Sequence, residues 1–185
     1  AGTISEYYYS NNPMAVENYE ATQGDKTSKV YMKNLYVSGT PQFAGTFGVR
    51  YFIDYWFLGA NLNAFGRNYI DVAPARRMEG IYNTVDPTLP ETMDTYYAMT
   101  TQERIGSACT LDLSVGKIFY LRNRQSINFN LSVNNVLNKR DIRTGGYEQA
   151  RVFASDGALV NPALFPNKYY YMQGINCFAN ISYRF

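Results

Sequence analysis

The stretch "SINFNLSVNNVL" (126–137) reads as a strand before anything else is known of the chain. From Ile127 to Asn134 the alternation is strict: Ile127, Phe129, Leu131 and Val133 hold one parity, and Asn128, Asn130, Ser132 and Asn134 the other. Successive side chains of a strand point to opposite faces, so a period of two gives one apolar face and one uncharged polar face. Three stretches repeat the pattern. In "PQFAGTFGVRYFI" (41–53) Phe43, Gly45, Phe47, Val49, Tyr51 and Ile53 oppose Gln42, Thr46 and Arg50. In "WFLGANLNAFGRNY" (56–69) Trp56, Leu58, Ala60, Leu62 and Ala64 oppose Asn61, Asn63 and Arg67, with Phe57 and Phe65 among the latter. In "RIGSACTLDLSVGKIF" (104–119) Ile105, Cys109, Leu111, Leu113, Val115 and Phe119 oppose Thr110, Asp112 and Ser114. The segment "NCFANISYRF" (176–185) alternates in the same way, with Cys177, Ala179, Ile181, Tyr183 and Phe185 on its apolar side. Five strands result, and "SEYYYS" (5–10) reads as the end of a sixth. None of these stretches carries a helical period.

The links between strands differ sharply in length. Only Asp54 and Tyr55 separate the first two strands, and 122–125 (RNRQ) is a tight polar turn. The other links, roughly 10–40, 71–103 and 138–168, are long. Alternation of long and short links is the pattern of an outer-membrane barrel, with short periplasmic turns and long extracellular loops. Aromatic residues gather at strand ends: Tyr51, Phe52, Tyr55, Trp56 and Phe57 around one short turn, Phe119 and Tyr120 beside the other, with Tyr183 and Phe185 at the same level. Amphipathic rings of this kind belong at a lipid–water interface. A soluble sandwich, apolar toward its core and polar toward water, uses the same alternation with the faces reversed. Sequence does not say which way a face points.

Composition narrows the function. The 185 residues carry 17 Lys+Arg against 15 Asp+Glu, so there is no electrostatic footprint for nucleic acid. Histidine is absent, which removes Ser-His-Asp, Cys-His and His-ligated zinc chemistry. No apolar run is long enough for a spanning helix, which leaves a barrel untouched. The first residues, AGTISEYYYS, show neither a basic nor an apolar leader region, so the expectation is a leader already removed or a piece of a longer chain. The GK of "SVGKIF" lacks the glycine a phosphate loop requires, since position 111 is leucine. The acids Glu79, Asp86, Glu91, Asp94 and Glu103 do not follow a calcium-loop spacing, so no metal is expected. No cofactor and no catalytic residue is expected either. Cys109 and Cys177 share the apolar parity but lie on parallel-running strands with one strand between them. About 10 Å apart on that count, they are expected to stay unpaired.

Two stretches carry a family likeness. "LSVNNVLNKRDIRTGGYEQARVF" (131–153) and "FPNKYYYMQGINCFANISYRF" (165–185) resemble the C-terminal end of the SusC/RagA-like TonB-dependent outer-membrane receptors. There the penultimate strand runs through NVLN into a D-I-x-T-G-G-Y-E-Q segment, and the last strand is entered through P-x-K-Y-Y-Y-x-Q-G. "ANLNAFGRNYIDVAPARR" (60–77) resembles the family's preceding upward strand and its loop, so the likeness covers most of the chain from about residue 31. It implies an all-β fold, in which these five or six antiparallel strands are the C-terminal section of a large transmembrane barrel. The plug domain, the TonB-interacting segment and the earlier strands have no counterpart here. Ile181, Tyr183 and Phe185 also resemble the C-terminal signal by which barrels are recognised for insertion.

The expected function is therefore import across the bacterial outer membrane, with no reaction catalysed. The resemblance implies an oligosaccharide or oligopeptide as solute and, as partners, the rest of the barrel with its plug, a SusD-type lid lipoprotein, TonB, the barrel-assembly machinery and outer-membrane lipid. Tyr82, Tyr96, Tyr97, Arg143 and Tyr147 are the candidate ligand residues of the outer loops, because tyrosine offers a flat apolar ring plus a hydroxyl. Packing within the loops or against a neighbouring protein is the readier explanation for each tyrosine. Arg140, Arg143 and Arg151 suit an anionic ligand or lipopolysaccharide, or pairing inside the loops. Asn61, Asn63, Asn128, Asn130 and Asn134 suit either a wet lumen wall or contact with a plug. Two other classes stay open: a small passive porin closing by oligomerisation, and a soluble β-sandwich binding module.

Overall fold

Alternation sustained over nine to thirteen residues, bounded by turns and loops, builds long strands. In the computed structural model, residues 1–18, 25–82, 84–85, 88–151 and 164–185 are described. In chain order the first strands are β1 (Gly2–Ile4), β2 (Met14–Asn18), β3 (Asp25–Lys29), β4 (Phe43–Ile53), β5 (Trp56–Gly66) and β6 (Asn68–Tyr69). A 3₁₀ turn (Pro74–Arg77) and two helices follow, α1 (Glu79–Tyr82) and α2 (Pro90–Thr100). The remaining strands are β7 (Arg104–Ile105), β8 (Ala108–Tyr120), β9 (Ser126–Asn134), β10 (Arg143–Tyr147), β11 (Lys168–Tyr171) and β12 (Asn176–Arg184).

The chain is mostly β, and six strands form one antiparallel sheet in the order β1-β4-β5-β8-β9-β12. The register aligns the parities read from the sequence. Val49, Ala60, Leu113, Val133 and Cys177 lie side by side in one row, and Tyr51, Leu58, Val115, Leu131 and Ala179 in the next. One face is thus apolar across five strands. The other carries the row Gly48, Asn61 and Asp112, and the row Arg50, Gly59, Ser114, Ser132 and Phe178. A one-residue slip anywhere would exchange the two faces, so their consistency over four strand pairs fixes the register.

Three expectations are corrected. The sixth strand is Gly2–Ile4, paired with β4, and "SEYYYS" leaves the sheet. There Tyr7 N–H donates to Gln42 Oε1 at 2.7 Å, and Tyr9 N–H to the Leu35 carbonyl at 2.9 Å. Ile105 does not share the face of β8; it pairs with Asn68 in a separate two-stranded sheet and is buried. The break falls at Arg67, whose backbone is left-handed (φ 54°). The cysteines are both free and further apart than expected. Cys177 is level with Leu113, not Cys109, and the four-residue offset brings their separation to about 16 Å.

All three long links leave the same end of the sheet, since β4 enters from it, β5 returns to it, β8 leaves it, β9 returns and β12 leaves again. At the opposite end the chain turns within Asp54 and Tyr55, both left-handed (φ 45° and 64°), as a two-residue hairpin requires. The Tyr55 ring meets Tyr120 edge-on at 5.0 Å, which holds a bulky residue in that conformation.

The core lies among the long links. Among the described residues every buried hydrophobic side chain is outside the large sheet, Val30, Met32, Ile70, Val72, Ile81, Met99, Ile105 and Ile142 among them. Val30, Met32 and Val72 cluster with Tyr9, Leu35 and Met78 packed around them. Within the large sheet only Gly66, Thr110 and Gly116 are buried. No other described strand or helix packs extensively across either of its faces. The accessible surface is 12545 Å², against roughly 9,000 Å² for a compact monomer of this mass by the usual scaling.

Candidate functional site

On the polar face the side chains bond to one another along the sheet. Thr46 Oγ1 donates to Asn63 Oδ1 at 2.9 Å, and Asn63 Nδ2 donates to Asp112 Oδ2 at 2.7 Å. The second oxygen of Asp112 accepts the Asn135 N–H at 2.9 Å, tying the face to the base of the loop after β9. Glycines make room for this layer. A Cβ at Gly48 or Gly116 would collide with Asn61 or Asn130, and one at Gly59 with the Ser114 hydroxyl. The polar side chains lie flat over bare backbone, so glycine inside these strands has a packing reason despite its cost.

At the loop end, the two motifs that carried the family likeness meet. Asn135 and Asn138 both adopt left-handed backbone (φ 51° and 50°), which asparagine tolerates better than most residues. Asn135 Nδ2 donates to the carbonyls of Lys139 and Gln173, each at 2.9 Å, and its Oδ1 accepts the Lys139 N–H at 3.1 Å. Asn138 Oδ1 accepts the Ile175 N–H at 3.0 Å and Arg140 Nε at 3.2 Å. Gly174 leaves the space these groups occupy. NVLN and QG are thus two halves of one turn support.

The TGGYEQ segment has an equally specific place. β10 pairs with β11, and Gly146 lies so close to the Lys168 carbonyl that no side chain fits there. Beyond it the buried Glu148 carboxylate meets the buried Arg77 guanidinium in a two-pronged ion pair: Arg77 Nη2 donates to Oε1 at 2.7 Å and Nη1 to Oε2. Glu148 Oε2 also accepts the Ala73 N–H at 2.9 Å, and Arg77 Nη2 donates to the Thr100 carbonyl at 3.1 Å. Arg76, its guanidinium pushed down from the ordinary arginine range by burial, donates to the Gln149 carbonyl at 2.6 Å. Neither pairing was legible in the sequence, because the partners stand more than seventy positions apart.

The candidate loop residues do not converge on one pocket. Tyr96 and Tyr97 meet edge-on at 5.5 Å on α2, with Tyr97 exposed. Tyr147 leans on Tyr170 at 6.0 Å. Arg143 takes the other face of the β10–β11 pair, its guanidinium 4.0 Å from the Tyr169 ring centre and 3.3 Å from Glu103. Glu103 also accepts the Tyr169 hydroxyl at 2.7 Å and Asn167 Nδ2 at 2.8 Å, so this acid is occupied. Its carboxylate raises the Tyr169 phenol above the ordinary tyrosine value. Arg140 holds Asn138, and Arg151 lies over the Phe165 ring at 4.7 Å. The side chains of Tyr82 and Glu91, and the whole of Asp86, lie outside the described residues. Among the described residues no three acids or cysteines converge as metal ligands would. Ile181 and Tyr183 stand exposed on the apolar face at the short-turn end, and Phe185 follows, 6.3 Å from Tyr183.

No family model, no curated protein and no solved structure matches this chain.

Proposed function

We propose that this chain is a section of the wall of an outer-membrane β-barrel that imports an oligosaccharide or oligopeptide in a TonB-dependent manner. The observation that carries the reading is the location of the apolar surface. Five strands align Phe47, Val49, Leu58, Leu62, Leu113, Leu131 and Ile181 on one uncovered face, while the buried core sits in the long loops. A soluble sandwich must bury such a face against a second sheet, and a lipid bilayer covers it without one. The edges add support. The outer side of β4 from Phe47 to Ile53, turned away from β5, and the outer side of β12 have no strand partner among the described residues. Long unpaired edges favour pairing with further strands, as in a closed barrel.

In this reading the long links are extracellular, and the C-terminal end of β12 faces the periplasm. The polar face borders the lumen or its plug, and the exposed Tyr97, Tyr147 and Tyr170 offer rings to solute or to a lid lipoprotein. TonB acts through parts of the receptor outside this chain, and no step of chemistry is performed. Paired substitutions test it. Arginine on a lipid face costs about 2–4 kcal/mol at the bilayer midplane, so Leu131→Arg should impair insertion far more than Asn130→Arg. Equal tolerance at these neighbouring positions contradicts the membrane assignment.

A further inference from the structure

Lys117 breaks the apolar face. It stands in the row Ile53, Trp56, Lys117, Phe129 and Ile181, where sequence parity alone gives no reason for a charge. Among the described residues no carboxylate lies within ion-pair distance of its ammonium. Instead Nζ lies 4.4 Å from the centre of the Trp56 ring and 5.4 Å from that of Phe119. Ring faces attract a cation without neutralising it. The row adjoins the Asp54–Tyr55 turn, so a lysine here keeps its stem on apolar surface and its head at the interface.

The next rows toward the loop end form an apolar hollow of about 520 Å³, lined by Val49, Tyr51, Leu58, Leu113, Leu131 and Val133. Its size falls within the range of small-molecule sites, roughly 300–1,000 Å³. A trough of this kind ending in one ring-flanked cation has the chemistry of an acyl chain that ends in a phosphate. Resting on the membrane reading above, we propose that Lys117, Trp56 and this trough seat an anionic glycerophospholipid of the leaflet at the short-turn end. The phosphate takes the Lys117 ammonium, and one acyl chain lies along Leu58 and Leu131. A zwitterionic lipid fits less well, because its head brings a second cation to a site with no carboxylate to receive it.

Trp56 is the single tryptophan of the chain and therefore the reporter. The intact protein, extracted from its membrane in a non-ionic detergent, is titrated with brominated phosphatidylglycerol or brominated phosphatidylcholine. The Trp56 signal is isolated by subtracting the Trp56→Phe variant. Half-quenching is expected at a several-fold lower mole fraction of phosphatidylglycerol. Lys117→Gln should erase that preference, and Lys117→Arg should keep it. Equal quenching by the two lipids, or a preference that survives Lys117→Gln, overturns the headgroup site and leaves the membrane reading standing. No quenching by either lipid overturns the membrane reading itself.

Discussion

Arg77 and Glu148 are the residues on which the loop assembly is most exposed to single changes. Both are buried, and each supplies the other's charge compensation. Removing one partner of a buried pair leaves an uncompensated ion and costs about 3–5 kcal/mol, whereas replacing both with apolar groups is far milder. Glu148→Gln should therefore lower the protease resistance and thermal stability of the loops by that order. The double change Arg77→Met with Glu148→Leu should recover much of the loss, as read by limited proteolysis and thermal melting in detergent. If the single and double variants lose the same stability, the pair's electrostatics is not what holds the segments together.

Among the elements, the turn after β9 gives a second test. Asn135 satisfies three backbone groups and occupies left-handed backbone. Alanine there loses the bonds, at about 1–3 kcal/mol for stranded groups, and also pays about 1–2 kcal/mol for its Cβ in that conformation. Glycine loses only the bonds. Asn135→Ala should thus melt below Asn135→Gly, and equal melting would remove the backbone from the explanation. What the sequence allowed and withheld follows from the same physics. Strands β4, β5, β8, β9 and β12 were legible within a few residues, because each repeats one parity over many positions. Their ends were not: Arg67 and Asn135 leave the sheet through single left-handed residues that periodicity does not register. Helix α2 was missed because "PETMDTYYAMT" has no clean apolar stripe, and only Pro90 in its first turn marks its start. The loop core was invisible because Val30, Met32 and Val72 follow neither strand nor helix period and come together only through packing between distant segments. Of the candidate ligand residues, Arg143 and Tyr147 both fall on β10. That they face opposite ways depends on the irregular pairing between Arg143 and Gly145.

For the whole molecule, the claim is that one end of the sheet faces the outside and one face meets lipid. The first half is open to surface labelling of intact cells. With Cys109 and Cys177 replaced by serine, a maleimide that does not cross the membrane should reach Tyr97→Cys on α2. It should miss Asn123→Cys in the short turn until the cells are permeabilised. Labelling of Asn123→Cys without permeabilisation reverses the topology.

The second half is tested most directly by the accessibility of spin labels placed one at a time along β9, from Ile127 to Asn134, in the protein reconstituted into lipid vesicles. Oxygen concentrates in the bilayer and a charged nickel chelate in water, so their ratio reports which medium each side chain meets. The account requires a period of two, with Ile127, Phe129, Leu131 and Val133 favouring oxygen more strongly than Asn128, Asn130, Ser132 and Asn134. Odd positions as open to the nickel chelate as even ones would mean that the apolar face meets no lipid.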